Sequence, residues 1–134
     1  MNKINIYNGE PNKAVFHDSR GVIADVFYNA KIDHVAYITS LPGSIRGNHY
    51  HKHSIQHILI TMGSLEYWYA NKDNLNDSKY TVAVTGDLIT SSASEVHALR
   101  ILGEGCSFVA FSEGKRGGQD YESDTFRVDS IIKG

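Results

Sequence analysis

One cysteine, two prolines and no balance of charge in either direction set the first limits on this 134-residue chain. A lone Cys106 excludes an internal disulfide and any thiolate-rich zinc site. Its place in the apolar run CSFVAF is that of a buried, inert thiol. No apolar run approaches the roughly 20 residues needed to span a bilayer. The opening MNKINIYNGEPNK lacks the apolar stretch of a signal peptide, so the expected location is the cytoplasm. Lysines and arginines are scattered and the net charge is -2, which gives no general attraction for nucleic acid or an anionic membrane. With no repeat and no low-complexity linker, residues 1–134 read as a single domain long enough for one core.

What is present is periodicity of two. GVIADVFY, HVAYITSL, HILITMGSLEYWYA, YTVAVTGDLITS, HALRIL and CSFVAF are short, rich in β-branched and aromatic residues, and bounded by Gly, Asn, Asp or Ser. DSRG, LPGS, ANKDNLNDS, TGD, LGEG and SEGKRGGQD read as turns. The fold class is therefore all-β, a sandwich or small barrel. The only helical signal is a short piece near the C-terminus. In SLEYWYA, Leu65, Tyr67 and Tyr69 share one face and Glu66 and Trp68 the other. Apolar side chains on both faces predict a strand covered on both sides, by the core and by a second subunit.

The histidines carry the chemistry. Four of the seven, His49, His51, His53 and His57, fall within nine positions in RGNHYHKHSIQHILITMGS. His49 and His51 sit on one face of an extended strand, about 7 Å apart, close enough to converge on one point. Gln56 joins that face if a turn through residues 52–55 restarts the strand, with Ile58 and Ile60 inward and His57 and Leu59 outward. His97, after GDLITSSASEV, lies opposite the pair in a closed barrel. Three imidazoles and an amide oxygen make an N/O site suited to one divalent ion such as Zn, Mn, Fe or Ni. A neutral imidazole is equally suited to removing a proton near neutral pH. One nitrogen lone pair cannot do both.

The string RGNHYHKHSIQHILITMG followed by GDLITSSASEVH resembles the two signature motifs of the cupin superfamily. These are a glycine, an H-x-H pair, a Glu or Gln, a closing Gly, then a second Gly with a His about eleven residues on. They fall here on Gly47, His49, His51, Gln56, Gly63, Gly86 and His97. DSRG (Asp18–Gly21), VAYI and RGxHxHKxxxQ (Arg46–Gln56) resemble the dTDP-4-keto-6-deoxyhexose 3,4-ketoisomerases and, more distantly, the dTDP-sugar 3,5-epimerases. LPGSIRGNHYH and the tail DYESDTFRV are similar to the metal-carrying cupin domain of bifunctional capsular-sugar enzymes. The resemblance covers roughly residues 16 to 128 and implies a double-stranded β-helix, the cupin jelly-roll barrel. Two positions depart from it. Ser91, Ser92 and Ser94 occupy the stretch that usually carries a proline, and Gln56 stands where many metal cupins have Glu. The ketoisomerases also have Gln there, and in them two histidines are thought to work without a metal.

The resemblance implies an isomerase or epimerase that acts on a nucleotide-linked 4-keto-6-deoxy sugar by abstracting the proton next to the ketone. His49 and His51 are the expected catalytic pair. Arg46 is suited to bidentate contact with a diphosphate, as is Arg20, which can equally fix its turn by pairing with Asp18. Tyr67, Tyr69 and Trp68 offer stacking surfaces or simply core. Arg100, Tyr121 and Arg127 stay unassigned. The resemblance also implies a homodimer paired through its sheets. Two other classes share the motifs: an oxygen-using metalloenzyme, and a sugar-binding cupin that recognises a ligand without turnover.

Overall fold

The alternating strands wind into a jelly roll. The computed structural model describes residues 1–9, 14–114 and 123–134. Its elements are β1 (Asn2–Asn5), a 3-10 turn at Ile6–Asn8, β2 (Val15–Asp18), β3 (Gly21–Ala24), β4 (His34–Ser40), β5 (Ile45–Tyr50), β6 (Ile55–Asn71), β7 (Asn74–Val84), β8 (Asp87–Ser91), β9 (Glu95–Glu113) and β10 (Phe126–Arg127). Every pairing is antiparallel. Among the described residues the 3-10 turn is the only helical segment, and no helix is long and apolar enough to cross a membrane. The helical piece expected near the C-terminus does not form in residues 123–134, which hold β10 and turns. Tyr121 and the end of SEGKRGGQD lie outside the described residues.

Two long strands build the roll by belonging to both of its walls. The first part of β6, from Ile55 to Gly63, pairs with β8 and with the second part of β9, which in turn pairs with β4. The second part of β6, from Leu65 onward, pairs with β7 and with the first part of β9, and that stretch of β9 carries β5. HALRIL and CSFVAF, expected as separate strands around an LGEG turn, are thus one continuous strand. Where the walls meet, the register of β6 on β9 slips between Ile60 and Met62 and again between Gly63 and Leu65. Such bulges bend a strand and increase its twist. Gly63 has φ +82°, and a Cβ there would collide with the carbonyl of Gly105 and lie 3.0 Å from Cys106 Cα. Only glycine permits this approach.

Apolar side chains fill the space between the walls. Ile58, Ile60, Leu65, Tyr67, Ile89, Leu99, Ile101 and Phe108 form the main core. Cys106 is buried there too, and burial raises its thiol pKa, which suits an inert role. The opposite face of β6 behaves as its composition predicts but is covered differently. Trp68, Ala70, Val96 and Ala98 pack against Ile131, with Val128 and Ile132 beside it. The chain's own last residues therefore supply the cover expected from a second subunit. Arg100 Nε and Trp68 Nε1 both donate to Glu66 Oε1, at 2.8 and 2.9 Å. His57 corrects a second expectation. It points away from the main core but is buried, with Nδ1 2.7 Å from Thr90 Oγ1, Nε2 2.8 Å from Glu113 Oε2 and the Phe27 ring edge-on at 4.9 Å. The second face of the β8-side wall thus has a small core of its own.

Two substitutions probe this frame. Gly63→Ala is expected to lower unfolding stability by about 3 kcal/mol through a disfavoured backbone and an overpacked crossing. Ile131→Ala is expected to cost about 2–4 kcal/mol if the tail is part of the cooperative core. Urea unfolding followed by tryptophan fluorescence reads both; an unchanged midpoint for Ile131→Ala would mean that the tail does not belong to the folding unit.

Candidate active site

β5 and β9 bring the key side chains together. In their register His49 lies directly opposite His97, and Gly47 opposite Ala98. Asn48, with φ +57°, is the extra residue of a bulge between Gly47 and His49. A Cβ on Gly47 would stand 2.7 Å from the His97 carbonyl oxygen, so the glycine allows β5 to press onto β9 beside the site. The bulge is tied down from the far side. Val128 N–H donates to the Asn48 carbonyl at 2.9 Å and Ile131 N–H to the Asn48 side-chain oxygen at 3.0 Å. β10 adds the pairings Phe126 with Tyr50 and Arg127 with His49. Tyr50, the residue between the two histidines, turns outward and stacks on Phe126 at 5.3 Å, while Lys52 Nζ sits 4.5 Å over the same ring.

The three imidazoles converge. Ring centroids are 4.9 Å apart for His49 and His51, 4.7 Å for His49 and His97, and 5.3 Å for His51 and His97. One ring nitrogen from each lies within 4.8 Å of the others. His51 and His97 are buried and His49 is half-buried. His51 Nδ1 lies 2.7 Å from the main-chain oxygen of Asp124. A carbonyl only accepts, so Nδ1 carries the hydrogen and the lone pair of neutral His51 is on Nε2. The Asp124 carboxylate meanwhile accepts the backbone N–H groups of Lys52 at 2.8 Å, His53 at 3.0 Å and Ser54 at 2.8 Å. Burial alone would raise its pKa; these donors outweigh burial and hold it below the usual carboxylate range. They fix the turn between β5 and β6 that brings Gln56 to the inner face.

A cavity of about 420 Å³ opens on this cluster. His49, His97, Gln56, Tyr67 and Ser91 form its polar side, and Ile38, Ile45, Ile58, Leu99 and Phe108 its apolar wall. Tyr67 lies nearly parallel to His97, 6.2 Å away and 19° off, and its hydroxyl is hydrogen-bonded to Ser91 Oγ. Burial pushes its phenol pKa well above the ordinary value, so it presents a neutral O–H and a ring face. Arg46 and Arg127 also line the cavity. Arg46 is braced by Nε donating to Ser40 Oγ at 2.7 Å and by a terminal nitrogen donating to the Thr39 carbonyl at 3.0 Å. Both arginines can present positive charge to an anion.

Of the residues singled out from sequence, His49, Gln56, Tyr67, His97 and Arg46 line one cavity, and His51 completes the histidine cluster. Arg20 does not join them. It sits at the tip of the β2–β3 hairpin, its side chain 86% exposed and paired with Asp18 at 2.6 Å, which is the turn-fixing role weighed for it. Tyr69 packs on the main core, and Trp68 faces the other way against Tyr80. His53 is in the β5–β6 turn. Asp124 and Asn48 lie within the quoted strings DYESDTFRV and LPGSIRGNHYH, but nothing in those strings assigned either a role. Their contacts run to backbone atoms 70 to 83 residues away, and no motif records such a distance.

The donor set fits a divalent cation, for three imidazole nitrogens converge beside an amide and one is oriented by a backbone carbonyl, the usual outer contact of a metal-bound histidine. Among solved structures, a 3,4-ketoisomerase from Helicobacter canadensis superposes with a TM-score of 0.75 at 16% identity, over 95% of this chain and 90% of that one. The dTDP-6-deoxy-D-glucose-3,5-epimerase RmlC of Legionella pneumophila, in complex with dTDP-4-keto-L-rhamnose, gives 0.68 at 12%, over 87% and 69%. The capsular polysaccharide assembling protein CapF of Staphylococcus aureus gives 0.67 at 15%, and this chain, covered over 88%, spans only 34% of CapF. These likenesses show the RmlC-like cupin fold. No curated protein matches the chain. The family model for the polysaccharide biosynthesis C-terminal domain matches residues 16–111, most of the sequence, and the chain belongs to that family.

Proposed function

We propose that this protein is an isomerase or epimerase of a nucleotide-linked 4-keto-6-deoxy sugar. The observation that carries the reading is the convergence of His49, His51 and His97 at a cavity with an apolar wall and two lining arginines. At about 420 Å³ the cavity suits one sugar ring, with the nucleotide outside it. Ile38, Ile45, Leu99 and Phe108 suit the 6-deoxy methyl and the ring faces, and Arg46 and Arg127 suit a diphosphate. The ligand in the Legionella epimerase complex, dTDP-4-keto-L-rhamnose, is of this substrate class.

The hydrogen on the carbon next to the ketone is the reactive one. His49, half-buried and lining the cavity, is the base that removes it. The enediolate that results needs donors beside its oxygens, and the Tyr67 hydroxyl, the Gln56 amide and Arg46 line the same space. Proton return to the neighbouring carbon, with the hydroxyl proton of the first carbon passing to the former ketone oxygen, moves the ketone; return to the opposite face of the first carbon inverts that centre. Where a divalent ion is bound, His49, His51 and His97 hold it with Gln56 beside them, and it supplies Lewis-acid polarisation of a carbonyl oxygen.

Solvent-deuterium incorporation into dTDP-4-keto-6-deoxyglucose, followed by proton NMR, tests the reading. Wild-type protein is expected to exchange the proton at C3, and His49→Ala to lose at least 100-fold in rate while unfolding at an unchanged temperature. Exchange that persists in His49→Ala would remove His49 as the base. Elemental mass spectrometry on untagged, chelator-free protein supplies the second measurement. Substoichiometric metal is expected if His49 acts as the base. One equivalent of transition metal would make the histidines ligands, and iron with oxygen uptake would favour the oxygenase class. Saturable nucleotide-sugar binding without exchange would favour a sugar-binding role.

The active form, on this reading, is a homodimer. Among the described residues β2 and β3 pair only with each other, and their Phe16 and Ile23 are 62% and 65% exposed. A two-stranded hairpin is marginal alone. Among the described residues β4 pairs only with β9, and it exposes Val35 and Tyr37, so each copy offers both an apolar hairpin and an apolar edge for a two-fold exchange. Light scattering is expected to give twice the chain mass, and Ile23→Asp with Tyr37→Asp to give the single mass.

A further inference from the structure

We propose that Asp124 is the positioning residue of the histidine cluster, fixing the tautomer of His51 with its main chain and the turn after His51 with its carboxylate. This rests on the reading of the cluster as the reacting centre. Among the described residues, four hydrogen bonds of 2.7–3.0 Å converge on Asp124: Nδ1–H of His51 to its carbonyl, and the N–H groups of Lys52, His53 and Ser54 to its carboxylate. The Ser54 side chain also bonds to it. His51 and Asp124 are 2% and 8% exposed, so water does not readily replace a lost partner.

The two functions of Asp124 depend on each other. The carboxylate, anchored to three consecutive amides of the segment that His51 begins, helps to hold the carbonyl in place. A solvated imidazole favours the tautomer with hydrogen on Nε2. Here the carbonyl at Nδ1 enforces the other one, leaving the Nε2 lone pair for the cluster, where it can accept from His49, His97 or a substrate hydroxyl, or bind a cation. Two residues farther on, β10 begins and pairs with His49 and Tyr50. Residues 123–127 therefore orient one histidine of the cluster by its side chain and brace the strand that carries the other.

Long-range proton–nitrogen correlation of ¹⁵N-labelled protein reads the tautomer directly, with the His51 signal assigned by its loss in His51→Gln. The wild-type chain is expected to show Nδ1 protonated and Nε2 bare. Asp124→Ala is expected to give averaged tautomers at His51 and Zn²⁺ affinity weakened ten- to hundred-fold, with cooperative unfolding retained. Asp124→Asn, which keeps one acceptor oxygen, is expected to restore the tautomer in part, and it decides the matter if the alanine variant does not fold. A His51 that keeps hydrogen on Nδ1 in both variants, with wild-type Zn²⁺ affinity, overturns the proposal. Because the tautomer needs neither substrate nor turnover, its change in a protein that exchanges no sugar proton would sink the proposed reaction and leave this inference standing.

Discussion

The closeness of β5 to β9 at Gly47 is the constraint on which the cavity depends. With a side chain at Gly47 the strands would part at the His97 carbonyl, and His49 would no longer face His97 across the ladder. The bulge at Asn48 adds a residue on one strand only and so re-aims the positions that follow. A bulge is a weak point in a ladder unless its freed groups find partners. Asn48 finds them in Val128 and Ile131, which makes the packing of Ile131 under Trp68 part of what holds the site in shape. Core, bulge and cluster form one mechanical chain.

Much of this was legible because it depends on local period. Alternation placed His49 and His51 on one face, and the turn at residues 52–54 put Gln56 and Ile58 back on the inner face, where both line the cavity. His97 was reachable only through the second motif, since 46 residues separate it from His51 and no periodicity spans them. The two apolar faces of SLEYWYA were equally plain. What covers each face was not, because composition shows that a surface must be buried and is silent on what buries it. Here Ile131, with Val128 and Ile132 beside it, does so.

The rest was hidden for physical reasons of three kinds. Asp124 acts mainly through backbone atoms of other residues, and any sequence has backbone amides to offer. His57 was read as outward because it opposes the inner face, yet a jelly-roll wall can bury both sides, and an imidazole with a hydroxyl on one nitrogen and a carboxylate on the other meets the demand that buried polar atoms be paired. LGEG has the residues of a turn but lies where β9 passes from one wall to the other. The glycines serve a bend within one strand, so turn chemistry alone misjudged the connection.

Cavity composition bears on the choice between acid–base and metal chemistry. Apart from the cluster itself, the described lining residues that can exchange a proton are Arg46, Arg127, Tyr67 and Ser91. Arginine stays charged at any ordinary pH, and a serine hydroxyl is no base without one beside it. Tyr67 is held neutral by burial and hydrogen-bonded to Ser91, which suits it to donate to a developing oxyanion rather than to take a carbon-bound proton. A cation claiming all three imidazoles would therefore leave no general base among these residues. Under the proposed reaction at least one imidazole must keep its lone pair, and His49, which lines the cavity and is less buried than the other two, is the one proposed as the base. On the proposed reading, the deeper burial of His51 and His97 suits them to orient and the lesser burial of His49 suits it to react.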